Sequence, residues 1–352
     1  MFKILVINPG STSTKVGVFE DETMIKEYKI KHTAEELKTY PTMAQEAEYR
    51  KNLIISALKK DGIDPSVFSA FSCRGGILKP IPSGTYLVDD NILYDSLHSP
   101  IDHPSNLGPL IGDALRQEYG KKAYITDPPS TFEAPAIATL SGLPEIERKL
   151  RCHALNHKAI AKKHCHEQKI DYKKVNLIVC HLGGGISIAM HDHGVIVDTN
   201  DATGEGPFGP ERTGSLPVMQ LTDLCFSGKY TREQVRRMLR GEGGFFAYLG
   251  TTDMQEIMKR VNDGEAKAKL CYDAFVYQVA KEIGSLTPVT KGKVDAILMT
   301  GGICHNKQFT DDVVDRVGWI APVFIYPGEE ELPALNWGVL NVLRGKEKAK
   351  IY

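Results

Sequence analysis

Several residues with phosphate-handling chemistry stand beside glycines at the ends of short apolar runs. Asn8 and Lys15 bracket a loop with three hydroxyls, Ser11, Thr12 and Ser13. Arg74 precedes Gly75 and Gly76, and Asp127 precedes two prolines. His181 stands at the end of the apolar run 177–180, with Gly183, Gly184 and Gly185 close behind, while Arg212 lies within a Gly/Pro-rich stretch and Gly301-Gly302 ends another run. Glycine lets a ligand approach the main chain closely, and successive exposed N–H groups form a concave anion site. Main-chain donors, three long cations, a histidine and carboxylates together suit a nucleoside triphosphate with a metal.

Other chemistries are less well served. No GxxxxGK[ST] occurs, and the G-x-G-x-x-G at 204–209 contains Pro207 with no helical pattern after it, so it is a poor dinucleotide fingerprint. His153 and His157 are one helical turn apart, with His164, His166, His191 and His193 as further metal candidates. There is no HExxH and no cysteine-pair spacing, so surface or capping roles fit most of these histidines better than zinc. Arg74 and Arg212 also read as surface ion pairs, Asp127 as a turn residue, and His153 as a capping residue.

The elements that must hold these residues repeat. Asn8 set against His181, 173 residues on, aligns strand, polar residue, glycine loop and second strand. AFSCRGGI at 70–77 and AILMTGGI at 296–303 form a second pair in the same order. Internal repetition outranks any single motif as evidence of architecture. The pattern predicts a duplicated α/β fold with a ligand between the halves, since open α/β sheets hold ligands at the carboxyl ends of strands.

In the first half, strands are expected at 3–8, 15–19, 24–30, 68–73 and 123–126. Helices are expected at 41–60, with Pro41 in its first turn, and at 106–119; residues 79–105 read as a long loop with short pieces of structure. The boundary falls near 142–151, giving domains of 1–147 and 148–330, with a helix from 331–352 closing back on the first. The second half should carry a helix at 155–168 and strands at 175–181, 187–190, 195–199 and 296–300. Its 200–217 stretch is irregular, and helices follow at 231–240, 253–261, 264–285 and from 306.

With 352 residues, two ordinary domains are expected. A formal net charge of −1 shows no basic nucleic-acid footprint. No apolar run approaches a membrane span, and the start does not read as a signal peptide. Seven scattered cysteines read as reduced thiols of a cytoplasmic protein.

INPGSTSTK, CRGG, HALNH, CHLGGGIS, DATGEGPFGPERTGSLP, AYLGTTDM, MTGGI and YPGEEELPAL resemble motifs of the butyrate kinases, in order and spacing, from residue 3 to about residue 340. That group belongs with acetate kinases in the superfamily of actin, sugar kinases and Hsp70 chaperones. The resemblance implies two ribonuclease-H-like domains with an interdomain cleft. It implies ATP with Mg2+, and phosphorylation of butyrate to butanoyl phosphate. Acetate, propionate or a branched acid are the nearest alternatives. A nucleotide-binding scaffold without an acid substrate is the alternative of another class. Asn8 matches a magnesium-side Asn, Lys15 a nucleotide-side Lys, and Arg74 the substrate-binding Arg. The segments 181–185 and 302–306, including Asn306, match the nucleotide loops. Asp253 matches an Asp near the ribose, with Gln255 where acetate kinases often have Arg. His153, His181 and Arg212 resemble the residues around the transferred phosphoryl group. Asp127 stands in TDPPSTFE, which departs from the acetate kinase FDTAFH. Glu330 matches the metal-side Glu, with Glu329 and Glu331 open as one-residue alternatives. Related kinases are dimers, so a homo-oligomer is implied, without a copy number.

Overall fold

The structure, a computed structural model, describes residues 1–101 and 103–352; Asp102, inside the expected 79–105 loop, is the one residue outside it. The chain divides into two compact units. The first comprises Met1–Phe132, Ala154–Ala159 and Glu330–Tyr352, and the second Glu133–His153 and Ile160–Glu329. The expected 147/148 boundary thus lies inside the Glu133–His153 stretch of the second unit, and the next six residues belong to the first.

The first unit is built on β1 (Lys3–Pro9), β2 (Ser13–Glu20), β3 (Thr23–Lys31), β4 (Ala70–Arg74), β5 (Thr85–Leu87) and β6 (Lys122–Thr126), in the order β3-β2-β1-β4-β6-β5. β1, β2 and β3 form the expected antiparallel meander, and β4 and β6 run parallel to β1. β1 is apolar on both faces because both are covered. Leu5 and Ile7 pack with Phe71, Ile54 and Ile111 beneath the helices Met43–Lys60 and Leu107–Tyr119. Ile4 and Val6 meet Leu335 and Val339 of the closing helix Glu331–Leu343 on the other face. Pro41 is not in the first turn of its helix. Thr42 is the N-cap, in a reciprocal capping box with Gln45, and starts the helix at Met43.

The second unit carries β7 (Asn176–Leu182), β8 (Ile186–Asp192), β9 (Val195–Thr199), β10 (Ala296–Gly301) and β11 (Val323–Pro327), in the order β11-β10-β7-β8-β9. The orders β3-β2-β1-β4-β6 and β9-β8-β7-β10-β11 are the same, with the same parallel and antiparallel senses. Each meander carries an irregularity at the matching place, Val18/Phe19 and Met190/His191. The α/β duplication is therefore real at the level of strand order. Helices Met254–Asn262, Ala266–Ser285 and Lys307–Val317 cover one face around Phe245, Phe275 and Phe309. Ile160, Ala161 and Cys165 of the helix Ala154–Gln168 cover the other. β11 is a short edge strand between prolines, tolerated because only β10 pairs with it. It was not foreseen, nor were the helices Val218–Phe226 and Gly244–Leu249.

Candidate active site

In the first unit a pocket of about 300 Å³ opens at the ends of β1 and β4, lined by Asn8, Pro9, Gly10, Ser11, Ser13, Lys15, Arg74, His103, Pro104, Ser105 and Glu331. Antiparallel pairing sets Asn8 opposite Lys15. Asn8 Nδ2 donates to Glu331 Oε2 at 2.6 Å, and Arg74 Nη1 donates to Glu331 Oε1 in an ion pair. Burial pushes the Glu331 carboxyl up, but Arg74, hydrogen bonds from Asn8 and Arg74, and Lys15 together hold it below the usual carboxylate range. It is therefore an anion beside two cations.

The carboxylate that meets Asn8 and Arg74 thus belongs to Glu331, at the first position of its helix, rather than to Glu330, the N-cap residue. A one-residue change on a helix turns a side chain by about 100°, so only the packed helix selects among the three glutamates. Thr12 is outside the pocket lining, and so is Asp127. Asp127 has φ +40 and is buried, and its Oδ1 accepts from Ser83 Oγ at 2.6 Å and Gly84 N–H at 2.8 Å. Its visible work is to hold the 83–84 turn.

The glycines around Arg74 are dictated by packing. A Cβ on Gly108 would lie 1.9 Å from the Arg74 carbonyl oxygen, and one on Gly76 2.8 Å from Asn106 Oδ1. Asn106, fully buried, accepts from Ile77 N–H at 2.7 Å and donates to Ile101 O at 3.0 Å. It fixes the loop after Arg74, yet nothing around it in the sequence singled it out. His103, which no motif marks, also lines the pocket, and its Nδ1 accepts from Ser105 N–H at 3.2 Å.

In the second unit the corresponding strand ends carry different groups. His181, 3% exposed, stacks on His153 with ring centroids 3.9 Å apart and planes at 17°. His153 sits at a helix N-cap without capping it; its Nδ1 is 2.8 Å from Ser187 Oγ, on β8. His181 Nε2 lies 3.5 Å from Glu329 Oε1. A Cβ on Gly185 would stand 2.3 Å from Arg212 Nη1 and 3.2 Å from His153 Cε1, so both side chains close around this glycine. Gly184 has nothing within 4 Å and leaves the main chain open. Arg212 Nη1 donates to Ala202 O at 2.7 Å. Burial, then Arg240, push the Arg212 guanidinium down against Glu211 and Asp201, but arginine starts so high that it stays charged.

Gly301 follows next to this cluster. Thr300 pairs with His181, and at φ +98 a Cβ on Gly301 would lie 2.2 Å from Leu182 O. Gly301 and Gly328 exchange two main-chain hydrogen bonds of 3.0 Å, which bring Glu329 toward His181. Gly302 is open, with nothing within 4 Å of a built Cβ. Asn306 caps the helix Lys307–Val317 through Phe309 N–H at 2.8 Å. Asp253 is exposed and caps Met254–Asn262 through the N–H of Gln255; no described contact links it to the His181 loop.

Among the described residues no three His, Cys, Asp or Glu side chains gather into a metal cage. The oxygens of Asn8 and Glu331 instead suit a hard cation that keeps most of its water.

The sequence model of the acetokinase family matches residues 145–320. Probable butyrate kinase 2 of Caldanaerobacter subterraneus subsp. tengcongensis is 47% identical over 354 residues, covering 100% of both chains. Butyrate kinase 2 of Clostridium acetobutylicum is 46% identical, covering 100% of this chain and 99% of that one. Acetate kinase of Porphyromonas gingivalis superposes with a TM-score of 0.82 at 18% identity, over 97% of this chain and 100% of that one. The duplicated sheets, the loop residues and this similarity along the whole length converge: the chain belongs to the acetokinase family.

Proposed function

We propose that this chain is a butyrate kinase, transferring the γ-phosphoryl group of ATP reversibly to the carboxylate of butyrate to give butanoyl phosphate. One observation carries the reading: 47% identity over the full length to a protein named as a butyrate kinase. A short carboxylic acid with a pKa near that of Glu, about 4.3, is ionised at neutral pH. The nucleophile needs no base, and the barrier is the approach of one anion to another. Catalysis is therefore positioning and charge neutralisation.

Arg74 binds the carboxylate through its planar fork. Glu331 already occupies one Nη of Arg74, which supports this role because it fixes the plane of the guanidinium. His181 and His153 donate to γ-phosphoryl oxygens, and Arg212 neutralises the charge that develops on them. A carboxylate oxygen forms the new bond to phosphorus while the bond to the β-side oxygen breaks, its electron pair leaving with ADP. Ser11, Thr12, Ser13, Lys15 and the glycines of 183–185 and 301–302 serve the polyphosphate, with Asn306 and Asp253 on the nucleotide side. Magnesium would be held through Asn8 and one carboxylate, Glu331 by its contacts or Glu330 by motif, with Asp127 as a more distant candidate. When bound, the ion neutralises polyphosphate charge.

Self-association is part of the reading, supported by the helix Val218–Phe226, which buries none of its residues although Val218 and Phe226 are 71% and 87% exposed. Light scattering that returned the mass of a single chain would remove that part. Among the described residues no helix is long and apolar enough to cross a membrane. The deciding experiment is a hydroxamate assay for acyl phosphate across C2 to C6 acids with MgATP. The highest kcat/KM is expected with butyrate. A maximum at acetate would reassign the substrate, and ATP hydrolysis indifferent to every acid would end the kinase reading.

A further inference from the structure

The largest fully buried side chain of the protein is a cation with no assigned role. Arg50, on the helix Met43–Lys60, is 1% exposed. Taking a guanidinium out of water costs several kcal/mol unless its donors are met, and an apolar side chain of similar volume often does as well for stability. Its Nε and Nη2 donate to Glu46 Oε1 at 2.9 and 2.6 Å. That pair is one helical turn long and would form equally well at the surface. Nη1 does something else: it donates to Gly10 O at 2.8 Å and to Thr14 Oγ1 at 3.0 Å, 40 and 36 residues away.

A second buried group continues the same arrangement. Thr14 Oγ1 lies 2.9 Å from His32 Nε2, and His32 N–H donates to Thr12 O at 2.9 Å. The carbonyls of Gly10 and Thr12 are thus both fastened on the scaffold side of the loop, while Gly10 N–H closes on Ser13 O at 2.8 Å. Among the described residues the N–H groups of Ser11 and Thr12 meet no protein acceptor, and both residues are exposed. A loop with its carbonyls held beneath and its N–H groups outward is a partial positive charge awaiting an anion. Ser11 and Ser13 line the pocket of Arg74 and Asn8.

We propose that Arg50 is a positioning residue for the kinase reaction: through Gly10 O and Thr14 Oγ1 it sets the 10–13 loop so that its N–H groups meet an anionic phosphoryl oxygen. The inference rests on the kinase reading of this pocket. Arg50 touches no reactant; it acts through the loop, so its loss should alter turnover more than acid binding.

The test uses Arg50→Met, which keeps the stem and removes the fork, Arg50→Ala, and Thr14→Val, which deletes one hydroxyl at nearly constant shape. Thermal melts establish folding, and the hydroxamate assay supplies kcat and KM. In folded variants kcat should fall about 10-fold or more with KM for butyrate within about twofold. Added guanidinium should restore Arg50→Ala several-fold and leave the wild type unchanged. Folded variants with wild-type kcat overturn the proposal, as does an Arg50→Ala enzyme that guanidinium does not restore. Should both Arg50 variants fail to fold, Thr14→Val decides alone, and unchanged kcat refutes it. A wild-type protein forming no acyl phosphate would be the failure of the kinase reading instead, seen without any substitution.

Discussion

The hairpins β1–β2 and β7–β8 share one topology and end in loops of opposite construction. In the first, the loop is fastened from below by Arg50 and His32, and its pocket holds an ion pair between Arg74 and Glu331. In the second, Gly184 alone leaves the main chain open, while Gly183 and Gly185 are buried against a pair of stacked imidazoles and Arg212. Duplication preserved strand order because a buried parallel core tolerates little else. Chemistry diverged at the strand ends, where side chains are not needed for packing. In the proposed reading the first hairpin offers loop N–H groups to a phosphate oxygen beside Arg74 of β4, which takes the acid's carboxylate, while the second surrounds the transferred phosphoryl group with side chains.

Substitutions test this division, beginning with the largest effect. Arg212→Ala should lower kcat by about 10²-fold or more with the fold retained by circular dichroism, since it removes a preorganised charge from the phosphoryl side. A folded variant of normal kcat would erase the assignment of the second hairpin. Arg74→Ala should mainly raise KM for the acid, by roughly 10-fold or more, with a smaller change in KM for ATP. Equal losses for both substrates would show that Arg74 does not single out the acid.

A smaller effect separates neighbouring glycines. Gly185→Ala places a methyl 2.3 Å from Arg212 Nη1, so kcat should fall about 10-fold as the arginine is displaced. Gly184→Ala meets nothing within 4 Å and should melt and fold as the wild type does. Matching kinetics for the two alanines would mean that the loop does not set the arginine.

The smallest effect concerns acid stability. Burial, then Arg50, push the His32 imidazole down to about 4, with Glu36 opposing them. The folded chain therefore refuses a proton that the unfolded chain accepts near its ordinary value of about 6.5. The stability due to neutral His32 is complete above that value and drains as the pH falls toward about 4. Tm measured at pH 7 and pH 5 should drop less in His32→Gln than in the wild type. An equal drop would place the proton uptake elsewhere.

Much of this was readable from residue order. The apolar runs 4–7 and 177–180 suited buried strands, and Gly76 and Gly185 do stand at close approaches, although Gly184 does not. The capping residue Thr42 overrode Pro41, because a box with Gln45 satisfies two backbone donors where proline satisfies none. β11 stayed hidden because an edge strand bounded by prolines carries little alternation.

Residue order alone determined the duplicated α/β plan and the families of groups at each strand end, because periodicity and backbone freedom are local properties. The folded chain decided which groups meet. Asn8 and Glu331 are 323 residues apart, and Arg74 and Glu331 257. That Glu331, rather than a neighbouring glutamate, meets Asn8 and Arg74 follows from the rotation in which the closing helix is packed. No motif marks Arg50, and only its burial beneath a loop 40 residues distant sets it apart. Such contacts depend on how layers stack, and stacking is a sum over the whole core that no short stretch of chain carries.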